Sequence, residues 1–137
     1  MEQLKNAYNK IDEMGIKTFS YNIPFSKSVT IESNGKYGIF IDYNKIEDSY
    51  DEFMVLAHEY GHCVSGSTHS LNSPADLISK HEYIADKTAA FEFLPVKNII
   101  NAVNNGCHTI EEISDYLDFP FHFVKRTLQI YRQKGLL

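Results

Sequence analysis

The stretch "FMVLAHEYGHCV", residues 53–64, constrains this chain more than any other. His58 and His62 stand four apart, with Glu59 directly after the first. On a helix that spacing puts both imidazoles on one face, about one turn from each other. Two ring nitrogens so placed can reach one ion at about 2.0–2.1 Å. Glu59 is rotated by about 100° from His58. It can approach the open side of such an ion without binding it, and there take a proton from an attacking water. Tyr60 and Gly61 fill the two free positions of the pattern H-E-x-x-H. Phe53, Leu56, Ala57 and Val64 supply apolar surface to pack the helix. "SYDE" at 49–52 has the spacing of a capping box, Ser49 as cap and Glu52 reaching back, and Gly66 helps to end the helix. The competing reading is two surface histidines on an amphipathic helix.

A third ligand decides between them, because catalytic zinc sites usually take three protein ligands and keep a fourth position for water. The candidate is Glu82 in "SKHEYIADKTAAFEFLP", read as a helix over 79–93 that starts as early as Pro74. Glu82 shares a helix face with Ala85, Asp86, Ala89 and Phe93. A carboxylate on so apolar a face is costly unless it is paired or bound to a metal. The alanines at 85, 89 and 90 let two helices approach closely, as a direct bond from Glu82 to a shared ion requires. Asp86, one turn on, can accept the spare ring N–H of a ligand histidine and fix its tautomer. His81 points about 100° away from Glu82. His69 lies in the loop-like "SGSTHSLNSP", Cys63 should face away, and His108 and His122 belong to the C-terminal part. These five fit less well as ligands. Tyr60, His69, His81 and Tyr83 all remain open as donors to a developing oxyanion.

The rest of the chain reads as a mixture of helices and a small sheet. Leu4, Ala7, Tyr8, Ile11 and Met14 have helical spacing, and Gly15 follows as a stop. "SNGK" separates two β-prone runs, and Asn-Gly is a strong hairpin signal, so strands are expected near 28–32 and 36–42, with a short extended piece near 17–23. A short helix is expected within 95–104. "NNGC" breaks the chain, "TIEE" at 109–112 is a second capping box, and two helices separated by "DFP" run to Gly135. The expected fold is α+β: a small antiparallel sheet or hairpin packed on the helix pair that carries the site, with a mostly helical, helix-turn-helix-like C-terminal part. The organisation expected is a core over 1–104 and a helical extension over 105–137 packed on it.

The motif pair "FMVLAHEYGHCV" and "EYIADKTAAFEFLP", together with the upstream "GKYGIFIDYN", resembles the ImmA/IrrE metallopeptidases of bacteria, phages and mobile elements. The resemblance covers roughly residues 15–95. It implies a zincin-like, gluzincin-type core with one Zn²⁺ per chain held by His58, His62 and Glu82. It also implies Glu59 as general base and Asp86 in contact with a ligand. The implied activity is that of an endopeptidase cutting a helix-turn-helix repressor-type protein of a prophage or mobile element. A protease takes its substrate extended, and an exposed edge strand can hold a peptide by main-chain hydrogen bonds. The strand at 36–42, just before the site helix, is the expected edge. The alternative is a non-catalytic antirepressor that binds a repressor or DNA and uses the metal only structurally.

Charge bears on that alternative. The chain carries a net −5, against a general nucleic-acid binder. Between 109 and 137, Lys125, Arg126, Arg132 and Lys134 are balanced by Glu111, Glu112, Asp115 and Asp118, so the helical pair has no basic excess. The apolar runs "GIFI" and "MVLA" are too short to span a bilayer. No signal-peptide pattern opens the chain, and two cysteines, Cys63 and Cys107, read as reduced thiols. The expected location is the cytoplasm, with no membrane partner.

Overall fold

Asn34 and Gly35 both adopt left-handed backbone, with φ of 55° and 77°. Two consecutive residues of that kind make the tight turn that joins antiparallel strands with the correct twist. The computed structural model describes residues 1–68 and 73–137. In it this turn joins β2 (Ser28–Ser33) to β3 (Lys36–Ile41). Pairing runs from Ser33 opposite Lys36 to Ser28 opposite Ile41. The extended piece near 17–23 is β1 (Lys17–Ser20), which pairs parallel to β3 with Lys17 opposite Gly38.

The strand order β1-β3-β2 corrects one expectation. The 36–42 strand is not an edge. β3 is hydrogen-bonded on both sides, because the chain passes through α1 (Glu2–Glu13) and lays β1 against it from the far side. Among the described residues, β2 is the edge next to the helix pair. The sheet is correspondingly mixed rather than purely antiparallel.

Six α-helices complete the described residues: α1, α2 (Ser49–Ser65), α3 (Ala75–Phe93), α4 (Val96–Asn104), α5 (Ile110–Leu117) and α6 (Phe121–Gln133). The α+β class expected from sequence is observed. The cap of α2 differs by one residue from the expected box. Asp48, not Ser49, accepts the Asp51 N–H at 2.8 Å, and Glu52 accepts the Tyr8 hydroxyl instead of reaching back. Asp and Ser are equally good caps, so "DSYDE" permits either register. The second box forms as expected, with Thr109 accepting the Glu112 N–H at 3.1 Å.

α2 and α3 cross very closely. A Cβ placed on Gly61 would lie 2.2 Å from the Ala85 carbonyl oxygen, so only glycine fits there. This crossing sets the distance from the two histidines of α2 to the carboxylates of α3. Phe53 of α2 lies at the centre of the core, with its ring 5.4 Å from Phe93, 5.6 Å from Phe119 and 5.1 Å from Phe123. Residues of the 105–137 segment therefore belong to the same buried cluster as α1, β3, α2 and α3. The buried Tyr131 hydroxyl donates to the Leu94 carbonyl at 2.7 Å and lies 3.0 Å from that of Ala90, which ties α6 to the end of α3. Among the described residues no helix is long and apolar enough to cross a membrane.

Candidate metal centre

The α2–α3 crossing brings His58, His62 and Glu82 together. His58 Nε2 is 2.6 Å from Glu82 Oε2, and His62 Nε2 is 3.1 Å from Glu82 Oε1. The two Nε2 atoms are 3.2 Å apart. Tetrahedral bonds of about 2.0–2.1 Å would put ligand atoms about 3.3 Å apart. Small adjustments therefore separate this set from a bonding one, and the three residues form a group able to hold a metal ion.

The histidines are oriented from behind. His58 Nδ1 is 3.0 Å from Asp86 Oδ1, and His62 Nδ1 is 2.8 Å from the Ser67 carbonyl. With both Nδ1 atoms placed to donate to oxygen, each Nε2 faces the common centre and can offer it a lone pair once its proton is displaced, which is the tautomer a metal needs. Asp86 is itself held, because Arg126 Nε of α6 donates to its Oδ2 at 3.1 Å. A line of contacts thus runs from the C-terminal helix through Asp86 to His58.

Three acceptors facing one point call for a positive charge. Burial alone would lower the His58 pKa. Its hydrogen bonds to Asp86 and Glu82 outweigh that, and the nearby Glu59 and Glu82 charges add to them, so the ring is lifted to about 10. Hydrogen bonds from His58 and His62 hold the Glu82 carboxyl well below the usual carboxylate range. A proton on His58 meets the demand for charge, and a divalent cation would meet it better.

Glu59 sits at the same cleft, which has a volume of ≈ 720 Å³ and is walled by β2 on one side and by His58, His62 and Glu82 on the other. Its Oε2 accepts the Ser28 hydroxyl at 2.6 Å and its Oε1 the Thr30 hydroxyl at 2.7 Å. Sequence reasoning missed both serine and threonine. The hairpin register explains them. Ser28 opposes Ile41 and Thr30 opposes Ile39, and both isoleucines are fully buried. Directly opposed residues share a face, so the two hydroxyls point inward while Ile31 is half exposed. The signal was available: "SVTIES" reads polar-in, apolar-out once the Asn-Gly turn fixes the pairing. Arg126 is a third missed residue. It lies 40 positions from Asp86, and nothing local in the sequence links them.

Among the described residues, none of the proposed oxyanion donors lines the cleft. Tyr60 is a correction: it is buried, with its ring 5.4 Å from Phe93, because a residue two positions from each histidine lies on the opposite side of the helix. Tyr83 turns toward Arg126 and Lys87, at 5.7 Å and 6.0 Å from its ring centre. His81 is not among the described residues that line the cleft. His69 lies outside the described residues. Cys63 is buried, and that burial pushes its thiol up to about 11; it does not line the cleft.

Comparison with family models, curated proteins and solved structures finds no match for the chain. The likeness to ImmA/IrrE metallopeptidases therefore rests on its own residues.

Proposed function

We propose that the chain is a zinc-dependent endopeptidase of the cytoplasm. The observation that carries this reading is the convergence of His58 Nε2, His62 Nε2 and Glu82 on one point, with Glu59 in the same cleft. Two nitrogens and a carboxylate oxygen are a donor set that suits zinc and leaves a position for solvent. The ion would polarise the scissile carbonyl and make its water more acidic. The chain's own residues do the rest. Glu59 accepts the proton of the attacking water and passes it to the leaving amine. Ser28 and Thr30 hold its two oxygens. Asp86 and the Ser67 carbonyl keep both imidazoles turned toward the cleft. As the edge that walls the cleft, β2 offers main-chain groups to an extended peptide. The free, buried thiols of Cys63 and Cys107 fit a reducing compartment.

The resemblance of the motif pair supports a repressor-type regulatory protein as substrate. The test mixes zinc-loaded chain with candidate repressors, with and without chelator, and reads product masses. Glu59→Gln should keep zinc and fold while cutting stops. One observation favours a second reading, a non-catalytic antirepressor with a structural metal. Both Glu59 oxygens already accept hydroxyl hydrogen bonds, as they would in a purely structural role. On that reading Glu59→Gln retains the full biological effect.

A further inference from the structure

β2 is an edge strand without the usual guards. Its sequence "SVTIES" holds neither lysine nor proline, the residues that commonly keep a free edge from pairing. Its one charged side chain, Glu32, is turned back onto the Gly35 N–H at 2.8 Å. The strand also has two unlike faces. Ser28 and Thr30 point inward to Glu59. Val29 opposes Phe40 and Ile31 opposes Gly38, so both stand on the outer face of the sheet. They share it with the stacked rings of Phe19 and Phe40, whose centres are 4.9 Å apart. Ile31 is 51% exposed, and Phe25, just before the strand, is 59% exposed. The exposure of Phe25 does not come from a loose segment, because Lys45 Nζ donates to the Ile23 and Ser26 carbonyls on either side of it. Phe25, Val29 and Ile31 also border the metal cleft.

We propose that β2 selects its substrate through this outer face: the peptide that pairs with the edge carries apolar side chains at two positions separated by one residue, set against Val29 and Ile31. The proposal rests on the peptidase reading and deepens it by naming the sequence pattern that the cleft accepts. Side chains of an added strand alternate between the two faces. Those opposite Ser28 and Thr30 enter the cleft toward Glu59. Those opposite Val29 and Ile31 rise onto the outer face, with Cβ atoms about 4.5–5.5 Å from their partners. There an apolar side chain covers hydrocarbon that is otherwise wet, and a charged one gains nothing from Ile31. A second copy of the chain could offer the same edge a strand, but its β2 would then occupy the metal cleft. The continuity of edge and cleft favours the substrate as occupant.

The test uses short, otherwise polar peptides of one composition in which two isoleucines are adjacent, separated by one residue, or separated by two. Cleavage by the zinc-loaded chain is read by mass spectrometry, and binding to the zinc-loaded Glu59→Gln variant by fluorescence anisotropy. The peptide with one intervening residue makes one more outer-face contact than the others and is expected to exceed them about two- to fivefold. Ile31→Lys should abolish that advantage and favour, by about the same factor, a peptide with glutamate in place of one isoleucine. Zinc content and melting temperature should not change, since the side chain is half exposed. Ile31→Thr, which keeps a β-branched residue, should only level the ranking. Equal handling of the three spacings, or a ranking that survives Ile31→Lys, overturns the proposal. A native chain that sediments as a dimer, and as a monomer with Ile31→Lys, overturns it too, because a second copy then holds the edge. Ranked binding by Glu59→Gln without any cutting by the native chain would uphold the selectivity and sink the peptidase reading. Unranked cutting would do the reverse.

Discussion

Replacing Gly61 with alanine separates two physical effects by sign. In an exposed helix the change should stabilise by about 1 kcal/mol, because alanine has the higher helix propensity. Here the added Cβ meets the Ala85 carbonyl oxygen at 2.2 Å and its carbon at 2.8 Å. Unbonded carbon and oxygen keep about 3.4 Å apart, so α3 must retreat by about 1.2 Å at the crossing. The obstacle is backbone, and no rotamer change relieves it. Overpacking of this kind costs about 1–3 kcal/mol. The melting temperature of the metal-free chain should therefore fall, by roughly 3–10 °C at this size. The larger consequence is at the site. Glu82 and Asp86 flank Ala85 on α3 and move with it, while metal–ligand distances tolerate only about 0.2 Å. Zinc affinity should drop at least about 100-fold, more than the loss of a hydrogen-bonded outer partner usually costs. The assay is a titration of apo protein against a chromophoric chelator, paired with thermal melts with and without zinc. Glu82→Ala marks the full loss of that ligand. A Gly61→Ala protein that melts higher and binds zinc as tightly as the native chain would refute the reasoning.

Four further outcomes follow from other contacts. Asp86→Asn should weaken zinc binding about 10- to 100-fold with little change in fold, since the amide still reaches His58 but carries no charge; unchanged affinity in the same chelator titration would remove Asp86 from the site. Zinc loading at pH 8 should release about one proton, because the His58 pKa of about 10 leaves that ring protonated in the metal-free chain and the metal must displace the proton. Calorimetry in two buffers of different ionisation enthalpy reads this directly, and zero release contradicts it. The sign for the metal-free fold follows as well: a raised His58 pKa adds stability below pH ~6.5 that disappears as pH rises through about 10, so urea midpoints should fall over that interval. Tyr131→Phe should cost about 1–3 kcal/mol, because it leaves the Leu94 carbonyl without its buried donor, while the Ala90 carbonyl keeps the Leu94 N–H; an unchanged urea midpoint would show that water replaces it.

Local chemistry made much of this molecule legible. Asn34-Gly35 dictated its turn, Thr109 its cap, and the four-residue histidine spacing its helix face. Glu82 could be found because a carboxylate among alanines on a helix face demands a partner. What escaped was set by pairing across distance. β1 was visible as an extended piece, but its insertion beside β3 depends on the path of α1, so the edge strand was assigned to 36–42 instead of 28–33. Gly61 read as a free position of the motif, because its constraint comes from the Ala85 backbone 24 residues away. Ser28 and Thr30 were obscured by a different cause. Their strand inverts the usual alternation, and an inward polar face reads as an outward one until a buried carboxylate is placed beneath it.

Phe53 holds a broader consequence. Its ring touches Phe93 on one side and Phe119 and Phe123 on the other, so the first hundred residues and the last thirty complete one another's interior. Recombination that carried off the terminal helices would bare those aromatics and the Leu94 carbonyl together. The two stretches are thus bound to be inherited as a unit, and substitutions at position 53 should be tolerated only alongside compensating changes at 119 or 123.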